Sequence, residues 1–558
     1  MLNRRCAWCG DPAADFTLCD RCTQVAEPYV TAASLSEFLF NPPDPLSTEL
    51  HEAAGQLALR LARGSQGSWE ERVNRVQEEL AIELSKVLLS SGMCREFVQI
   101  ACASRKEAIQ ALGFAGRLDA WSGEGRIVSN DLVHLAAGSL PSALPPRVPD
   151  PSSIVPIYRA DALANAWRTV TVNAAVANAV AITHAVSRPE PSELIGVYEP
   201  AALTDYYTQI EHVADAQKPE DYEVSDSGLR RSLENRGVLP RQIVADVDQD
   251  LAQTCGFGVA DLHALADAVR ERFREFGRTP LLPQFVEIAG TPCQYGLGVE
   301  RKDRLRETYL RHGGDAANWL SMVRAFSAPR VGSKRLELEA TDRFRHAFLY
   351  EAGDYYMVAL LSLANAVDVF RQSVLTGHFL GRFGGDPDFR SKALGKAGNR
   401  MATFLSFVVA EWFASAGFKV PTEGGVPRGE IKKIRTKGKT LRITGPSGND
   451  LGDLDVLAVD EGTRTVRIIE IKYWKPGPCT VTSIAAGSKL DSQLREKIMA
   501  RHRWVETNLR AVVEFAGAAA GSYTVTTTLA ASRPMLQDDP VLDVTYLAAL
   551  KEELDNLR

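Results

Sequence analysis

Two apolar segments, residues 453–460 and 465–474, constrain the fold of this 558-residue chain more than any other feature of its sequence. Both consist largely of Val, Ile and Leu, which is typical of strands that are buried on both faces of a sheet. Only the short polar segment Glu461–Arg464 separates them, and this length suits a hairpin turn. The pattern predicts an antiparallel pair of strands near the centre of a sheet.

Charged residues interrupt these strands, and the hairpin predicts where their side chains lie. With the turn centred on Gly462-Thr463, Asp455 faces Glu470, and directly opposed residues point to one face with Cβ atoms about 5 Å apart. Lys472 follows Glu470 by two residues, so the strand period places it on the same face. The same register places Asp453 opposite Lys472. The sequence therefore predicts two carboxylates and an ammonium group on one side of the hairpin.

Two carboxylates this close within apolar strands repel each other unless a cation binds between them. Mg²⁺, or Mn²⁺ in its place, prefers carboxylate oxygens, polarises phosphoryl oxygens and lowers the pKa of bound water. A neighbouring ammonium group can orient that water or offset the charge that develops on the phosphate. The alternative is an edge hairpin with ordinary charged residues facing solvent. The apolar residues on both faces of both strands argue against it, because polar groups placed among them need a reason.

The elements around this hairpin predict an α/β domain over residues 395–558. Met401–Ala416 is expected to form a helix that ends at Gly417, because glycine is favoured just past a helix end. The other predicted elements are two strands around Lys437-Gly438, the apolar hairpin, a helix at Lys489–Ala511, strands at Tyr523–Ala531 and Val541–Tyr546, and a final helix. This order implies a central mixed sheet flanked by helices.

The hairpin resembles the signature of the PD-(D/E)XK nuclease superfamily, which has the restriction-endonuclease-like fold. The likeness lies in Gly-Asp-Leu-Asp455-Val-Leu-Ala, the turn, and Ile-Ile-Glu470-Ile-Lys472, together with the order of the elements. It covers residues 395–558 and nothing upstream. The resemblance implies that Asp455 and Glu470 ligate Mg²⁺ and that Lys472 serves the attacking water and the transition state.

The resemblance also implies three further positions in the site. The main-chain carbonyl of Ile471 would be another ligand of Mg²⁺. Many members carry an acidic residue on the first helix, and Glu411 is the residue available there. Members often place a glutamine on the helix after the hairpin, and Gln493 is the corresponding residue here.

A basic segment between the first helix and the apolar hairpin predicts a polyanionic partner. Between residues 419 and 450, eight lysines and arginines stand against three carboxylates, whereas the whole chain has a net charge of −6. Cationic side chains that neutralise phosphates give affinity for nucleic acid that is largely independent of base sequence. The residues expected to bind it are Lys432, Lys433, Arg435, Lys437, Lys439 and Arg442. The alternative is a solvated hairpin with alternating charges.

Four of the nine cysteines lie near the N-terminus with the spacing C-x2-C-x9-C-x2-C, at Cys6, Cys9, Cys19 and Cys22. Two such pairs supply four thiolates in tetrahedral geometry, which favours one structural Zn²⁺ and resembles a small zinc ribbon or knuckle. Iron–sulfur ligation is a minor alternative. The module is expected to cap the N-terminal helices, and docking of nucleic acid or a partner is the alternative. Clustered thiols of this kind fit a reducing compartment.

Upstream of the α/β domain, the sequence predicts mostly helical structure. Residues 1–25 form the cysteine module and 26–138 a helical domain. Residues 139–156 contain six prolines and are predicted to be a linker, because proline disrupts helices and central strands. Residues 157–394 are predicted to form a second, mostly helical region with a hairpin near 335–358.

Residue spacing predicts particular helices in these regions. Apolar residues recur every three or four positions in Glu49–Ala62 and Glu70–Leu89, as in amphipathic helices. The uncharged segment Thr169–Ser187 is too polar for a membrane span, and a buried or amphipathic helix is expected there. Residues 1–5 lead directly into the cysteine cluster without an apolar leader, so a cytoplasmic location is expected.

These features together favour a metal-dependent phosphodiesterase, and specifically a Mg²⁺-dependent endonuclease. Its expected substrate is DNA, and RNA is the alternative. The helical middle region would recognise the substrate, a protein partner or a trigger. By analogy, this architecture suits bacterial antiviral defence or repair. The alternative is a catalytically inactive nuclease fold that acts as a scaffold for nucleic acid or a protein. The intact set Asp455, Glu470 and Lys472 favours the enzyme, because a scaffold has no need of it.

Overall fold

A computed structural model describes most of the chain. The described residues are 5–6, 8–13, 18–39, 44–114, 120–149, 154–184, 186–196, 198, 224, 226–274, 284–288, 291–327, 347–363, 387–436, 438–473, 492–532 and 542–557. Lys437 and the first part of the hairpin region predicted at 335–358 lie outside them.

Helices make up most of the N-terminal and middle parts of the chain, as the sequence predicts. They are α1 (Asp20–Leu39), α2 (Asp44–Gly64), α3 (Trp69–Ser90), α4 (Arg95–Phe114), α5 (Ala120–Ser139), α6 (Ile154–His184), α7 (Ser227–Asn235), α8 (Pro240–Cys255), α9 (Val259–Arg274), α10 (Lys302–Arg311) and α11 (Trp319–Phe326). The C-terminal part adds α12 (Pro387–Ser415), α13 (Ser492–Thr507), α14 (Leu509–Phe515) and α15 (Leu547–Asn556). The helices predicted at Glu49–Ala62 and Glu70–Leu89 are confirmed as α2 and α3.

Strands occur in the middle and C-terminal parts. They are β1 (Gln284–Ile288), β2 (Thr291–Tyr295), β3 (Leu297–Arg301), β4 (Leu349–Ala352), β5 (Tyr355–Ala359), β6 (Thr422–Glu423), β7 (Val426–Pro427), β8 (Lys433–Thr436), β9 (Lys439–Arg442), β10 (Val456–Asp460), β11 (Thr465–Lys472), β12 (Thr524–Ala531) and β13 (Asp543–Tyr546). In the middle part, β3, β5 and β4 form an antiparallel sheet, and β1 pairs with β2. Strands β1 to β3 are additional to the helices and the hairpin that the sequence predicts for residues 157–394.

The start of α3 shows how local sequence fixes a helix. The N–H of Glu71 donates to the Ser68 hydroxyl, and the N–H of Ser68 donates to the Glu71 carboxylate at 2.8 Å. This capping box satisfies two donors that the first turn leaves without helical acceptors. Leu80 and Leu84 lie on the buried side at four-residue spacing, which is the apolar stripe that a surface helix needs.

The proline-rich segment predicted as a linker forms a loop over residues 140–149 that packs against α4. The hydroxyl of Ser142 and the N–H of Ala143 donate to the buried carboxylate of Glu96 at 2.6 and 2.8 Å. After the loop, α6 packs on α2, α3 and α5. Helices before and after the segment therefore share one core.

The uncharged segment that begins at Thr169 lies largely within α6, as a buried helix rather than a membrane span. Trp167, Val170 and Ala177 of this helix are buried. Across the described parts of the chain, no helix combines the length and the apolar character that a bilayer crossing needs.

The C-terminal part contains the predicted mixed sheet, in the order β10-β11-β12-β13. Strands β10 and β11 are antiparallel, whereas β11–β12 and β12–β13 are parallel. Helices α12 and α15 cover one face, and α13, α14 and the β8–β9 hairpin lie on the other.

Two predicted boundaries differ in the structure. The expected helix Lys489–Ala511 is divided into α13 and α14 at Asn508, whose side-chain amide donates to the Trp504 carbonyl at 2.8 Å. Asparagine favours such breaks because its side chain competes for main-chain hydrogen bonds. The helix predicted from Met401 begins earlier, at Pro387, where proline is tolerated in the first turn. The predicted domain boundary at 395 therefore falls inside α12.

The β10–β11 hairpin has the predicted register, with Val456 opposite Ile469 and Asp460 opposite Thr465. The carboxylate of Asp460 closes the turn by accepting the N–H of Gly462 at 2.8 Å. Residues Val456–Val459 are all buried, which confirms that β10 is enclosed on both faces.

Candidate active site and cysteine cluster

The three charged residues of the apolar hairpin lie at one end of the C-terminal sheet, on the side that faces α13. Asp455 directly precedes β10, Glu470 lies near the end of β11, and Lys472 is its last residue. Extending the observed register by one pair places Asp455 opposite Glu470. The structure thus brings the three side chains together, while their roles in catalysis and metal binding stay predictions.

Glu470 is the centre of this cluster. It is only 2% exposed, and each of its carboxylate oxygens contacts a cation. Lys472 Nζ lies 2.7 Å from Oε1, and Arg501 Nη1 contacts Oε2. Beside it, the N–H of Ile471 donates to Oδ2 of Asp455 at 2.8 Å, so the hairpin itself orients the second carboxylate.

Asp455 is electrostatically unfavourable as an ion in this position. Burial, and after it the charge of Glu470, raises the pKa of Asp455 to about 8, against the lowering effect of the Ile471 N–H, Lys472 and Arg501. Two neighbouring carboxylates that resist ionising together are stabilised by a divalent cation. The donor set and its electrostatics therefore fit a hard cation such as Mg²⁺.

Arg501 is a member of this cluster that the sequence analysis missed. It lies on α13, is 13% exposed, and its Nε donates to the Leu451 carbonyl at 2.7 Å. Ile498 and Val505, three residues before it and four after it, are buried, so Arg501 lies on the inward side of the helix. An arginine within an apolar helical stripe is the signal that could have found it, because a buried guanidinium needs an anionic partner.

The basic segment forms a hairpin with an exposed cationic face. Lys433 and Arg442 lie directly opposite each other, and Lys433, Arg435, Lys439 and Arg442 are all exposed. Ile434 between them is buried in the core under α14. Two like charges opposed across a hairpin destabilise it unless an anion is bound, and this arrangement is suited to a polyanion.

Lys432 links the basic hairpin to the active-site cluster. Its Nζ lies 3.7 Å from Oδ2 of Asp453, two residues before Asp455. Asp453 was expected opposite Lys472, but β10 begins only at Val456, so the strand pairing does not extend to it. The chain before β10 instead pairs with Ile431, whose N–H donates to the Leu454 carbonyl at 2.8 Å.

The three positions implied only by the resemblance occupy different surroundings. Glu411 lies near the end of α12, on the helix that covers the opposite face of the sheet, and its Oε1 accepts the N–H of Asp226 at 3.0 Å. Gln493 is exposed in the first turn of α13. Ile471 is buried in β11 between Glu470 and Lys472. Their roles in the site stay predictions.

At the N-terminus, the four predicted cysteines form one cluster. The sulfur atoms of Cys6, Cys9, Cys19 and Cys22 all lie within 4.8 Å of one another, close enough to hold one metal ion. Gly10 takes a φ of +78°, and its N–H donates to the Cys6 carbonyl at 3.0 Å, which makes the sharp turn after the first pair.

The thiols of this cluster cannot all ionise without a cation. Burial raises the pKa of Cys6, but the N–H groups of Cys9 and Cys19 outweigh it and lower the pKa of Cys6 to about 6. Burial, with the neighbouring thiols, raises the pKa of Cys9 to about 11 and also raises that of Cys22. A bound metal ion would stabilise the thiolate form of the cysteines whose pKa is raised, because metal ligation deprotonates cysteine.

The cysteine module is not limited to capping the N-terminal helices. Trp8, between the first two cysteines, is buried, and its indole Nε1–H donates to the Val299 carbonyl of β3 at 3.3 Å. Its ring also lies 4.7 Å from that of Tyr355 on β5. The module therefore docks on the sheet of the middle region, nearly 300 residues away in the sequence.

Comparison with known proteins identifies no relative of this chain. No family model matches it, and neither a curated protein nor a solved structure is significantly similar to it.

Proposed function

We propose that this chain is a divalent-metal-dependent nuclease that hydrolyses phosphodiester bonds, with DNA as its substrate. The observation that carries the proposal is the convergence of Asp455, Glu470 and Lys472 at one end of a sheet. There desolvation, and after it the charge of the buried Glu470, holds the pKa of Asp455 far above its ordinary value. Burial of two acids together at a strand end is costly, and binding a divalent cation offsets that cost.

Asp455 and Glu470 would hold the metal, which when bound supplies a Lewis acid and a more acidic water. The Ile471 N–H fixes the orientation of Asp455. Lys472 is 28% exposed at the end of β11, so its ammonium group can reach both the site and a substrate in solvent. There it would orient the attacking water and stabilise charge on the phosphate as the bond breaks.

The surrounding elements support a restriction-endonuclease-like fold, as the resemblance to the PD-(D/E)XK superfamily implies. Helix α12 precedes the antiparallel hairpin β10–β11, helix α13 follows it, and β12 returns parallel to β11. In this arrangement the acidic residues lie at the end of the sheet where β10 begins and β11 ends.

The exposed face of the β8–β9 hairpin would bind the phosphate backbone of the substrate. Its cations, Lys433, Arg435 and Arg442, project to solvent, and Lys432 at its base approaches Asp453 beside the active-site cluster. Contacts of this kind position a nucleic acid without reading its sequence.

At the other end of the chain, the four-cysteine cluster would hold one structural Zn²⁺. Four sulfur donors leave no position for water, which distinguishes structural from catalytic zinc. The cluster is proposed to fix the docking of Trp8 on the middle sheet rather than to take part in the reaction.

The test is a cleavage assay with Mg²⁺ or Mn²⁺ on plasmid, linear and single-stranded DNA and on RNA. Asp455→Ala and Lys472→Ala are expected to abolish cleavage, with loss of about 100-fold or more because each removes an interaction used in the transition state. Glu496→Ala and Lys497→Ala serve as matched controls, because both residues are exposed on α13. Cleavage that persists in Asp455→Ala and Lys472→Ala would refute the assignment.

The second candidate is an inactive nuclease fold that binds nucleic acid or a protein as a scaffold. The observation that favours it is that both oxygens of Glu470 already contact cations, Lys472 and Arg501. Folded wild-type protein that binds DNA but neither binds Mn²⁺ nor cleaves any substrate would support the scaffold over the enzyme.

A further inference from the structure

Arg501 contacts the carboxylate that the proposed nuclease would use to hold its metal. Its Nη1 contacts Oε2 of Glu470, while Lys472 contacts Oε1. A divalent cation that binds between Glu470 and Asp455 must share or take one of these oxygens, because carboxylate oxygens are its preferred ligands. The metal and one of the two cations therefore compete for Glu470.

The guanidinium group of Arg501 has a second anchor that does not depend on Glu470. Its Nε donates to the Leu451 carbonyl at 2.7 Å, and its Nη2 lies against Gly452, where an added Cβ would be only 3.0 Å away. Gly452 has a φ of +82°, a conformation that favours glycine. The loop before β10 thus leaves space for the guanidinium and holds it at the edge of the site.

Loss of the Glu470 contact would leave buried donors on Arg501 in need of another acceptor. A buried N–H without an acceptor costs about 1–3 kcal/mol, and more for a charged group. Arginine presents its donors in a planar fork that matches two oxygens of a phosphate. The substrate of the proposed reaction supplies such a group next to the metal site.

We propose that Arg501 is a phosphate-binding residue of this site. Before metal binds, Arg501 forms an ion pair with Oε2 of Glu470, and a divalent cation then displaces it from that oxygen. After displacement, Nε stays on the Leu451 carbonyl and the Nη groups bind a non-bridging oxygen of the substrate phosphodiester. This inference rests on the proposed function, since it requires a metal at Asp455 and Glu470. The Nη groups of Arg501 thus bind first Glu470 and then the substrate phosphate, whereas those of a purely structural arginine would stay on Glu470.

Removal of Arg501 should therefore have opposite effects on metal and on substrate. Arg501→Gln is expected to bind Mn²⁺ about tenfold more tightly than the wild-type chain, because the competing positive charge is gone. It should bind a single-stranded DNA oligonucleotide in Ca²⁺ about tenfold more weakly, because one phosphate contact is lost. Titration calorimetry with Mn²⁺ and fluorescence anisotropy with labelled DNA measure the two effects on the full chain.

Three further variants make the test decisive. Arg503→Gln, exposed on the same helix, should leave both affinities unchanged. Arg501→Lys retains the charge but not the planar fork of donors, and should bind Mn²⁺ about threefold more tightly than the wild-type chain. This variant provides the test if Arg501→Gln does not fold. Asp455→Asn should abolish Mn²⁺ binding at this site.

The outcomes separate this inference from the proposed function. Wild-type protein that binds Mn²⁺, loses it in Asp455→Asn, and binds it equally or more weakly in folded Arg501→Gln and Arg501→Lys would overturn the role of Arg501 alone. Arg501 would then only support Glu470. A wild-type chain that binds no Mn²⁺ would overturn the proposed function and this inference with it.

Discussion

Among single residues, the candidate active-site cluster is governed by its balance of charge. Asp455 and Glu470 lie with Lys472 and Arg501 in one cluster, so without metal the two acids are met by two cations. Burial nevertheless keeps the pKa of Asp455 raised. Without metal, the cluster is therefore most stable with Asp455 protonated. With Asp455 ionised, it can bind a divalent cation.

This balance predicts a pH dependence of stability in metal-free protein. The pKa of Asp455 is about 8 in the folded chain against an ordinary value of 3.8, so folding favours the protonated form. Its stabilising effect is complete below the ordinary pKa and is lost as the pH rises toward 8. Asp455→Asn should remove this loss and raise the free energy of unfolding by up to about 5 kcal/mol near the alkaline end of that range.

Urea unfolding in the presence of a chelator, followed from about pH 5 to about pH 9, measures this effect. The Asp453→Asn variant is the neighbouring control, since Asp453 is a partly buried partner of Lys432. Parallel stability profiles for the wild type and Asp455→Asn would contradict the prediction.

The sequence could predict that Asp455, Glu470 and Lys472 share one site. For Arg501 it could indicate a buried position but not the partner. The first three belong to one hairpin, and its short turn and two-residue period fix which side chains share a face. Arg501 lies 31 residues beyond Glu470 on a helix. Its partner depends on how that helix is rotated against the sheet, which local spacing does not determine.

Among the secondary-structure elements, the close approach of residue 429 to α12 fixes the chain beside the active site. A Cβ at Gly429 would lie 2.6 Å from the carbonyl carbon of Ser406 in α12. The next residue, Glu430, donates its N–H to the Asp455 carbonyl at 3.0 Å. Only glycine allows this contact, so the segment that supports Asp455 depends on it.

Gly429→Ala is therefore expected to destabilise the chain by about 2–3 kcal/mol through overpacking. Gly398→Ala, within α12 itself, meets no atom within 4 Å and should stabilise by up to about 1 kcal/mol, because alanine favours a helix over glycine. Thermal unfolding of both variants measures the contrast. Equal stabilities would show that the Gly429 backbone can move away from α12 without cost.

The β8–β9 hairpin gives a prediction about DNA binding. Replacement of the opposed pair Lys433 and Arg442 by Gln should weaken DNA binding and reduce the slope of log affinity against log salt by about 2, one for each lost phosphate contact. The variant should fold at least as well as the wild type, because it removes a like-charge pair. Binding should be measured at several salt concentrations.

The control for this experiment replaces two exposed cations elsewhere, Lys86 on α3 and Arg270 on α9, by Gln. It removes the same net charge from the chain. A salt slope that falls as much in this control would assign DNA affinity to overall charge rather than to the hairpin.

The sequence predicts strands with a strong hydrophobic pattern and misses strands with a weak one. The alternation and apolar runs of β10 to β12 identify them as strands, and the sheet confirms them. Strands β1 to β3, residues 284–301, include Gly, Pro and charged residues without a clear two-residue period. Their pairing depends on tertiary contacts, so propensity alone does not predict it.

Across the whole molecule, the cysteine cluster joins the start of the chain to its middle. Loss of the metal by Cys19→Ser should release Trp8 from β3 and β5, because a module this small is held together by its metal. Zinc content is then expected to fall from about one per chain to none. Hydrogen exchange in β3 and β5 should increase at the same time.

Trp8→Ala separates metal binding from docking. Because Trp8 provides none of the four sulfur ligands, this variant should retain zinc and yet lose protection in β3 and β5. Protection that is unchanged in both variants would show that docking does not depend on the module. The sequence could predict the cluster from cysteine spacing, but not the docking surface, which comes from a distant sheet.

Helix α12 has consequences beyond the site it borders. One side of it packs on β10 and β11, and the other contacts α8, with Arg400 bonded to Asp246 at 2.8 Å. A fragment cut at residue 395 would expose that second side to water and would be prone to self-associate. In the intact chain, a ligand that shifted α8 would also displace the strands beneath α12, with no intervening loop to absorb the movement.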